Sequence, residues 1–325
     1  MTTLTVVSPG VQSLIQDLGR PGHGAMGVPC GGAADVLSLV AANRLVGNAD
    51  GAAAIEMAMV GCEVVPDADT VVCVGGVAAE VLIATVSGES RRIERWKPVV
   101  VRAGERLHVR AIRPGLRAYL CISGGVSVPR LLGSASTLPA CGFGGCEGRS
   151  LRAGDRLIGG ELPAAAPTPA AEEATRWLES VIRPRVLRVV ATPSGDGVRA
   201  CEALEALLVA PLKVAMQSDR VGLRLEPSEA ARQVLQRTSS GRLPSEGAAH
   251  GSIEVPPDGR PIVLGVDHPV TGGYAVIACV IAADLAALGQ LAPGELASFE
   301  CVSRAFARSE YHALHARFDR EFPKR

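Results

Sequence analysis

A mainly β protein of two β-rich halves is the fold class that three features of this sequence predict. Its apolar runs are short, rich in Val and Ile, and bounded by Gly, Pro, Asp and Ser. A Gly-acid turn that hands the chain into an apolar strand recurs in both halves. The 325 residues exceed one typical small domain, and at ~150 residues per domain two are expected.

In chain order, strand signals fall at residues 4–7, 70–77, 80–85, 98–101, 106–111, 117–122 and 186–190, then at 212–216, 221–225, 262–266 and 296–302. The turn reads Arg102-Ala103-Gly104-Glu105-Arg106-Leu107, again Arg152-Ala153-Gly154-Asp155-Arg156-Leu157, and more loosely Ala292-Pro293-Gly294-Glu295-Leu296. Such turns close small barrels and barrel-like sandwiches, although this repeat is too short to mark a duplication.

Helices are fewer. Residues 33–45 place Leu37, Val40, Ala41 and Arg44 at helical spacing and stop at Val46-Gly47-Asn48, a C-cap pattern. Residues 199–208 and 277–288 also read as helices, the latter ending near Gly289. Residues 305–321 form an amphipathic tail with Tyr311, Leu314 and Phe318 on one stripe and Phe306 near its start, suited to capping a domain or binding a partner subunit. The Pro- and Ala-rich stretch ELPAAAPTPAAEEA opens an extended or partly helical connection. An N-terminal β-rich domain over 1–165, a linker over 166–184 and a C-terminal domain with a helical tail over 185–325 are therefore expected.

Charge narrows the partners. Lys plus Arg and Asp plus Glu are equal at 33 each, which argues against nucleic acid and polybasic membrane binding and for a small molecule or another protein. The lysines are Lys97, Lys213 and Lys324, and none sits in a P-loop frame or in the Met-Lys-Met setting of a biotinylated carrier. ATP or biotin would come with another chain. The start MTTLTVVSPG lacks a positive n-region and a long apolar stretch, and no run of ~18 apolar residues occurs, so a cytoplasmic location without a membrane span is expected. The nine cysteines contain no C-x-x-C pair and read as small buried apolar residues of a reducing compartment. His312 and His315, three apart on the tail helix, read as surface residues, and no metal site is expected. There is no Gly-x-Ser-x-Gly elbow and no dinucleotide fingerprint after a strand.

Three polar constellations can carry chemistry. Gln16-Asp17-Leu18-Gly19-Arg20-Pro21-Gly22 is either a salt-bridged turn or a guanidinium presented to a carboxylate or a partner subunit. Gln217-Ser218-Asp219-Arg220 joins two strands, and reads equally as an Asx-turn hairpin or as a cradle for a small amide or carboxylate. The third is a string of backbone-controlling residues: Ser245-Glu246-Gly247, the Pro256-Pro257-Asp258-Gly259 loop, then Asp267-His268 and Thr271-Gly272-Gly273-Tyr274. There Glu246 is a candidate acid or base, and the glycines let another group approach the backbone.

The blocks SPGVQSLIQDLGRPGHGAMGVP, AANRLVGNADGAAAIE, YLCISGGVSVPRLLGSASTLP, GGCEGRSLRAGDRL, MQSDRVGLRLE, SEGAAHGSIEVPPDGRPIVL and DHPVTGGY run in order over residues 4–303. Together they resemble the biotin-dependent carboxyltransferase-like family that includes the C-type subunit of bacterial ATP-dependent 5-oxoprolinase, allophanate-hydrolase subunit 2 and the Kip anti-inhibitor. The resemblance implies a cyclophilin-like β-barrel architecture, a B-type (kinase-inhibitor-like) partner subunit of related fold, and an A-type subunit. It points to Gln16, Asp17, Arg20, Asn43, Asn48, Glu56, Gln217, Ser218, Asp219, Arg220, Ser245, Glu246, Gly247, Thr271, Gly272, Gly273 and Tyr274, with Asn43 and Asn48 fit to pin loops.

On this resemblance the expected function is the C-type subunit of a cytosolic 5-oxoprolinase, opening the lactam of 5-oxoproline to glutamate with ATP. Arg220 or Arg20 would hold the substrate carboxylate, Gln217, Ser218 and Thr271 would orient the lactam, with Gly272, Gly273 and Tyr274 beside them, and Glu246 or Asp267 would manage protons. Two alternatives remain open: a carboxyltransferase component of a biotin-dependent urea or amide carboxylase, with biotin on another chain, and a noncatalytic regulator that binds the kinase-inhibitor-like subunit. The chain departs from the family pattern at Gly31-Gly32-Ala33-Ala34-Asp35, which lacks a usual serine and methionine, and at Pro193-Ser194-Gly195-Asp196-Gly197. It departs again at Ala275 and Val276, which follow the Gly-Gly-Tyr, and at Glu254, where a glutamine is usual.

Overall fold

The computed structural model describes residues 2–77, 79–160, 166–184, 186–192, 197–238 and 244–324. The architecture is mainly β, with a nearly closed barrel sheet and few helices. Two compact units are present, Met1–Arg20 with Gly31–Ile182 and Arg317–Arg325, and Pro21–Cys30 with Arg183–Ala316.

The first unit holds two antiparallel sheets. One runs Val126–Ser127, Arg156–Gly159, Thr3–Ser8, Glu63–Pro66, Arg106–Ile112, Ala79–Ala84 and Ser90–Ile93. The other runs Gln12–Gln16, Ala54–Ala58, Arg117–Ile122, Thr70–Gly76 and Val99–Val101, and the helix Val36–Leu45 packs on its inner strands. That helix starts three residues later than the spacing suggests, because Asp35 caps it by accepting the Ser38 N–H at 3.0 Å. Residues 166–184 are not merely a connection. Glu172–Ile182 is an α-helix that buries Ala174, Leu178 and Ile182 at four-residue spacing, and so belongs to the first unit's packing.

The second unit is built on one eight-stranded sheet. Its order is Leu296–Ala297, Leu212–Val214, Gly222–Glu226, Ile262–Leu264, Ser252–Val255, Ala275–Val280, Leu187–Ala191 and Phe299–Cys301. Val189, Val214, Leu225, Ile253 and Val255 form its apolar core with Leu207 and Leu235 from the helices Gly197–Leu208 and Glu229–Thr238. The helix expected over 277–288 is instead the strand Ala275–Val280, followed by a 3-10 turn at Ala282–Asp284 and one helical turn at Leu285–Leu288. Val276, Ile277 and Val280 are β-branched, and the segment lies between two strand partners, so pairing outweighs its helical periodicity. The run 296–302 divides at Ser298, pairing first with Leu212–Val214 and then, in parallel, with Leu187–Ala191.

The recurring turn adopts one geometry three times. Gly104, Gly154 and Gly294 take φ of 79°, 90° and 89°, a region closed to most side chains. In each copy the following acid accepts the backbone N–H three residues before it: Glu105 from Arg102 at 2.9 Å, Asp155 from Arg152 at 2.8 Å, and Glu295 from Ala292 at 3.0 Å. In each, an arginine from elsewhere in the chain meets the acid: Arg91 at 3.2 Å, Arg149 at 2.8 Å and Arg183 at 3.1 Å.

The expectation of uniformly buried cysteines fails in part. Cys62, Cys73 and Cys121 are buried, but Cys30, Cys141, Cys201 and Cys301 are exposed on turns, helix or edge positions. The tail is the helix Arg304–Glu321, of which only Phe318 is buried; its ring meets that of Phe322 in the first unit at a tilt of 30°, whereas Phe306 and Tyr311 stay exposed in the second.

Candidate functional site

In the second unit, polar groups gather along the loop 265–274, which leaves the strand Ile262–Leu264 and returns as Ala275–Val280. Arg220 and Asp267 form a buried bidentate pair, with Nε to Oδ2 at 2.7 Å and Nη2 to Oδ1 at 2.9 Å. The Asp267 N–H also donates to the Arg220 carbonyl at 3.0 Å, so backbone and side chain fix the same corner. Gly265 permits this approach, since a Cβ there would fall 2.3 Å from the Arg220 oxygen.

Two imidazoles lie beside that pair. His250 and His268 stack with ring centroids 6.4 Å apart, and His268 Nδ1 lies 2.7 Å from the Pro269 oxygen. Burial, with the charges of His268 and Arg220, pushes His250 down to about 4. His250 is therefore neutral at pH 7 and able to accept or relay a proton. Its folded value lies below the ordinary 6.5, so the unfolded chain binds the extra proton between those values. The stability it confers is full above pH 6.5 and is lost as pH falls through about 4. His250→Gln is expected to remove about 3 kcal/mol of that acid-induced loss, read as the difference in urea midpoints between pH 7 and pH 4.

Further along the loop, Gly272 lies against Glu254, and a Cβ on Gly272 would fall 2.3 Å from the Glu254 Oε1. Glu254 is buried, and burial raises its pKa. Glu246 and Gly247 pair with Gly272 and Thr271 as a short two-stranded ribbon, where Ser245, Glu246, Gly247, Thr271, Gly273 and Tyr274 are exposed.

The 217–220 loop takes the hairpin form. Ser218 Oγ accepts the Arg224 N–H at 3.0 Å, and Asp219 Oδ1 accepts the N–H groups of Val221 and Gly222 at 2.9 and 3.1 Å. Gln217 is exposed, and the Arg220 fork, expected to be offered to a substrate carboxylate, is spent on Asp267. Arg20 is likewise engaged inside the first unit at 1% exposure. Its guanidinium donates to the carbonyls of Leu131 and Ser136 and lies 5.1 Å from the Phe143 ring. Both arginines position loops, because each guanidinium is buried and its hydrogen bonds run to groups of this chain.

The remaining first-unit residues pin loops and strands. Gln16 donates to the Thr137 carbonyl at 3.0 Å, and Asp17 accepts from Gly19, Ser134, Ala135 and Ser136. Asn43 donates to the Ala52 carbonyl, while Asn48 donates to Asn43 Oδ1 and the Ile122 carbonyl and accepts from the Gly124 N–H. Glu56 accepts the Ala34 N–H at 2.9 Å and the Tyr119 hydroxyl at 2.8 Å. The same unit carries a cavity of about 550 Å³ walled by residues 127–131, 142–148 and 156–158. Among the described residues no group of three or more His, Cys, Asp or Glu side chains could hold a metal ion, and no helix is long and apolar enough to cross a membrane. Of the family departures, residues 193–196 lie outside the described residues.

Sequence reasoning missed His250, which stands in an inconspicuous Ala-Ala-His-Gly stretch, and marked Glu254 only as a departure. The alternation Ile253, Glu254, Val255 reads as an ordinary strand with its acid turned to solvent, so local sequence carried no sign that Glu254 is buried.

Fold and polar loop together describe a cyclophilin-like barrel protein that carries a glycine-rich polar loop against a sheet, unlike a nucleotide-binding α/β enzyme. The sequence profile of the carboxyltransferase domain, subdomains A and B, matches residues 26–301, and the chain belongs to that family. It is 33% identical to the C-type subunit of 5-oxoprolinase from Escherichia coli over 320 residues, covering 98% of this chain and 95% of that one. Identity to the Saccharomyces cerevisiae urea amidolyase is 32%, over 95% of this chain but 17% of that one. Among solved structures, the Kluyveromyces lactis urea amidolyase matches 99% of this chain with a TM-score of 0.84 at 29% identity, and TTHA0988 matches 92% with 0.76 at 34%. The chain spans about a fifth of the first of these and about half of the second.

Proposed function

We propose that this chain is the C-type subunit of an ATP-dependent 5-oxoprolinase, acting in the cytoplasm with an A-type and a B-type (kinase-inhibitor-like) subunit to open 5-oxoproline to glutamate. The observation that carries this reading is the alignment, along nearly the full length of both chains, with a protein that bears the name of the C-type 5-oxoprolinase subunit.

The chemical difficulty is the stability of the lactam. Transfer of the ATP γ-phosphoryl group to the lactam oxygen would make the ring carbon electrophilic. Water then adds, the C–N bond breaks, and hydrolysis of the acyl phosphate leaves glutamate, ADP and phosphate. This chain offers no lysine in a phosphate-cradling loop, so ATP is assigned to the partners. Its own contribution is the loop 265–274. Proton transfer is assigned to Glu246 on the exposed ribbon or to the neutral His250, and the Arg220–Asp267 pair holds the loop in register.

The resemblance to urea amidolyase, with a TM-score of 0.84, supports a second reading as a carboxyltransferase component acting on urea or another amide with biotin carried by another chain. One experiment separates the two. The chain is co-expressed with its A-type and B-type partners, and glutamate formed from 5-oxoproline is measured with and without ATP. ATP-dependent glutamate is expected; its absence from an assembled complex, together with avidin-sensitive carboxylation of urea, would move the assignment to the second reading.

A further inference from the structure

The strand Ser252–Val255 turns Ile253 and Val255 into the apolar core, and the two-residue period of a strand sends Glu254 to the opposite side. That side is covered as well, and Glu254 is only 6% exposed. Among the described residues, no hydrogen-bond donor or cation meets its carboxyl, and burial alone raises its pKa. A buried carboxyl without a donor costs folding stability and returns nothing within the chain.

Three further features bear on what that carboxyl meets. The pairing with Ala275–Val280 shifts register between Ile253 and Glu254, with Ile277 of the partner strand left over, so the ladder is irregular where Glu254 begins. The residue over the carboxyl is Gly272, and a methyl group there would lie 2.3 Å from Oε1. Beyond Gly272 the surface is open, since Thr271, Gly273 and Tyr274 are exposed.

We propose that the Glu254 carboxyl is a substrate-recognition group which receives the N–H of a cis-amide edge over Gly272. The inference rests on the amide-substrate reading above. One carboxyl oxygen accepts the N–H, and in the protonated form the other donates its O–H to the amide oxygen. A lactam, a urea or a primary amide presents N–H and C=O on one edge, whereas a trans peptide bond presents them on opposite edges. Glu254 thus selects the class of amide and leaves the bond-breaking step to other groups.

The test uses the assembled complex and 5-oxoproline as substrate. Glu254→Leu, which replaces a donor-less buried acid by an apolar group of similar size, is expected to fold and to raise KM by about tenfold or more, with a smaller change in kcat. Glu254→Gln, which keeps an acceptor and a donor on one edge, is expected to recover most of that loss. Gly272→Ala is expected to raise KM by occlusion. An unchanged KM in Glu254→Leu would overturn the assignment, and so would a Glu254→Gln variant as weak as the leucine variant. Infrared difference spectra give a readout independent of turnover: a carboxyl band absent from Glu254→Gln should shift when 5-oxoproline is added to the wild-type complex. If the complex forms no glutamate, the oxoprolinase reading fails. The same titration with urea and acetamide then decides this inference, a shift upholding it and an unmoved band sinking it.

Discussion

Alanine at Asp267 is expected to destabilise the protein by about 3–5 kcal/mol, because it removes the carboxylate that meets the Arg220 guanidinium, itself 5% exposed, in a bidentate pair. Arg220→Ala should cost about as much by stranding the carboxylate. The two losses are not additive. Removing both charges together, as Arg220→Met with Asp267→Leu, is expected to recover most of the stability, since the pair's own net worth is small beside the penalty of an unpaired buried charge. Urea denaturation of wild type, Arg220→Met, Asp267→Leu and their combination closes a double-mutant cycle, and additive losses would show that the pair is not coupled. In the assembled complex, the double variant should still lose activity. The loop 265–274 depends on this corner for its path, and an apolar pair offers no directional hold.

Asp17→Ala should be of similar size in the first unit. The carboxylate, 3% exposed, accepts the Gly19 N–H at 2.8 Å, the Ser134 hydroxyl at 2.6 Å, the Ala135 N–H at 2.7 Å and the Ser136 hydroxyl at 2.5 Å. Ser134 and Ser136 are fully buried and cannot turn to water. With about 1–3 kcal/mol lost for a buried donor left unsatisfied, a total on the order of 4 kcal/mol is expected after relaxation. The damage should reach Arg20, which holds the carbonyl of the same Ser136. Asp17→Asn keeps one acceptor oxygen and should fall between wild type and alanine; a midpoint for Asp17→Ala within error of wild type would refute the account.

The strands legible in the sequence are those rich in Val and Ile, as at Thr70–Gly76 and Ile262–Leu264. Ala54–Ala58 escaped notice because Ala, Glu and Met favour helices, and it is a strand only because Gln12–Gln16 and Arg117–Ile122 pair with it on both sides. The segment 277–288 misled for the converse reason, its alanines giving helical spacing to what pairing makes a strand. At the site, the motif residues Arg220 and Asp267 were legible but their mutual occupation was not, since 47 positions separate the partners. Whether a guanidinium is offered or already spent is a tertiary fact. His250 was hidden for the same reason, as its burial and its stacking on His268 depend on a loop that local sequence does not place.

The thrice-used Gly-acid turn acts as a check on strand alignment. Each glycine N–H bonds to a neighbouring strand, Gly104 to Pro66, Gly154 to Val6 and Gly294 to Val214, while each acid binds its own turn and an arginine outside it. A slip of one residue would break the glycine's N–H bond to the neighbouring strand and, in the first and third copies, part the acid from its arginine at the same time. The penalty for misalignment therefore falls at the turn, where the strand begins, before the apolar side chains beyond it can commit to a wrong partner.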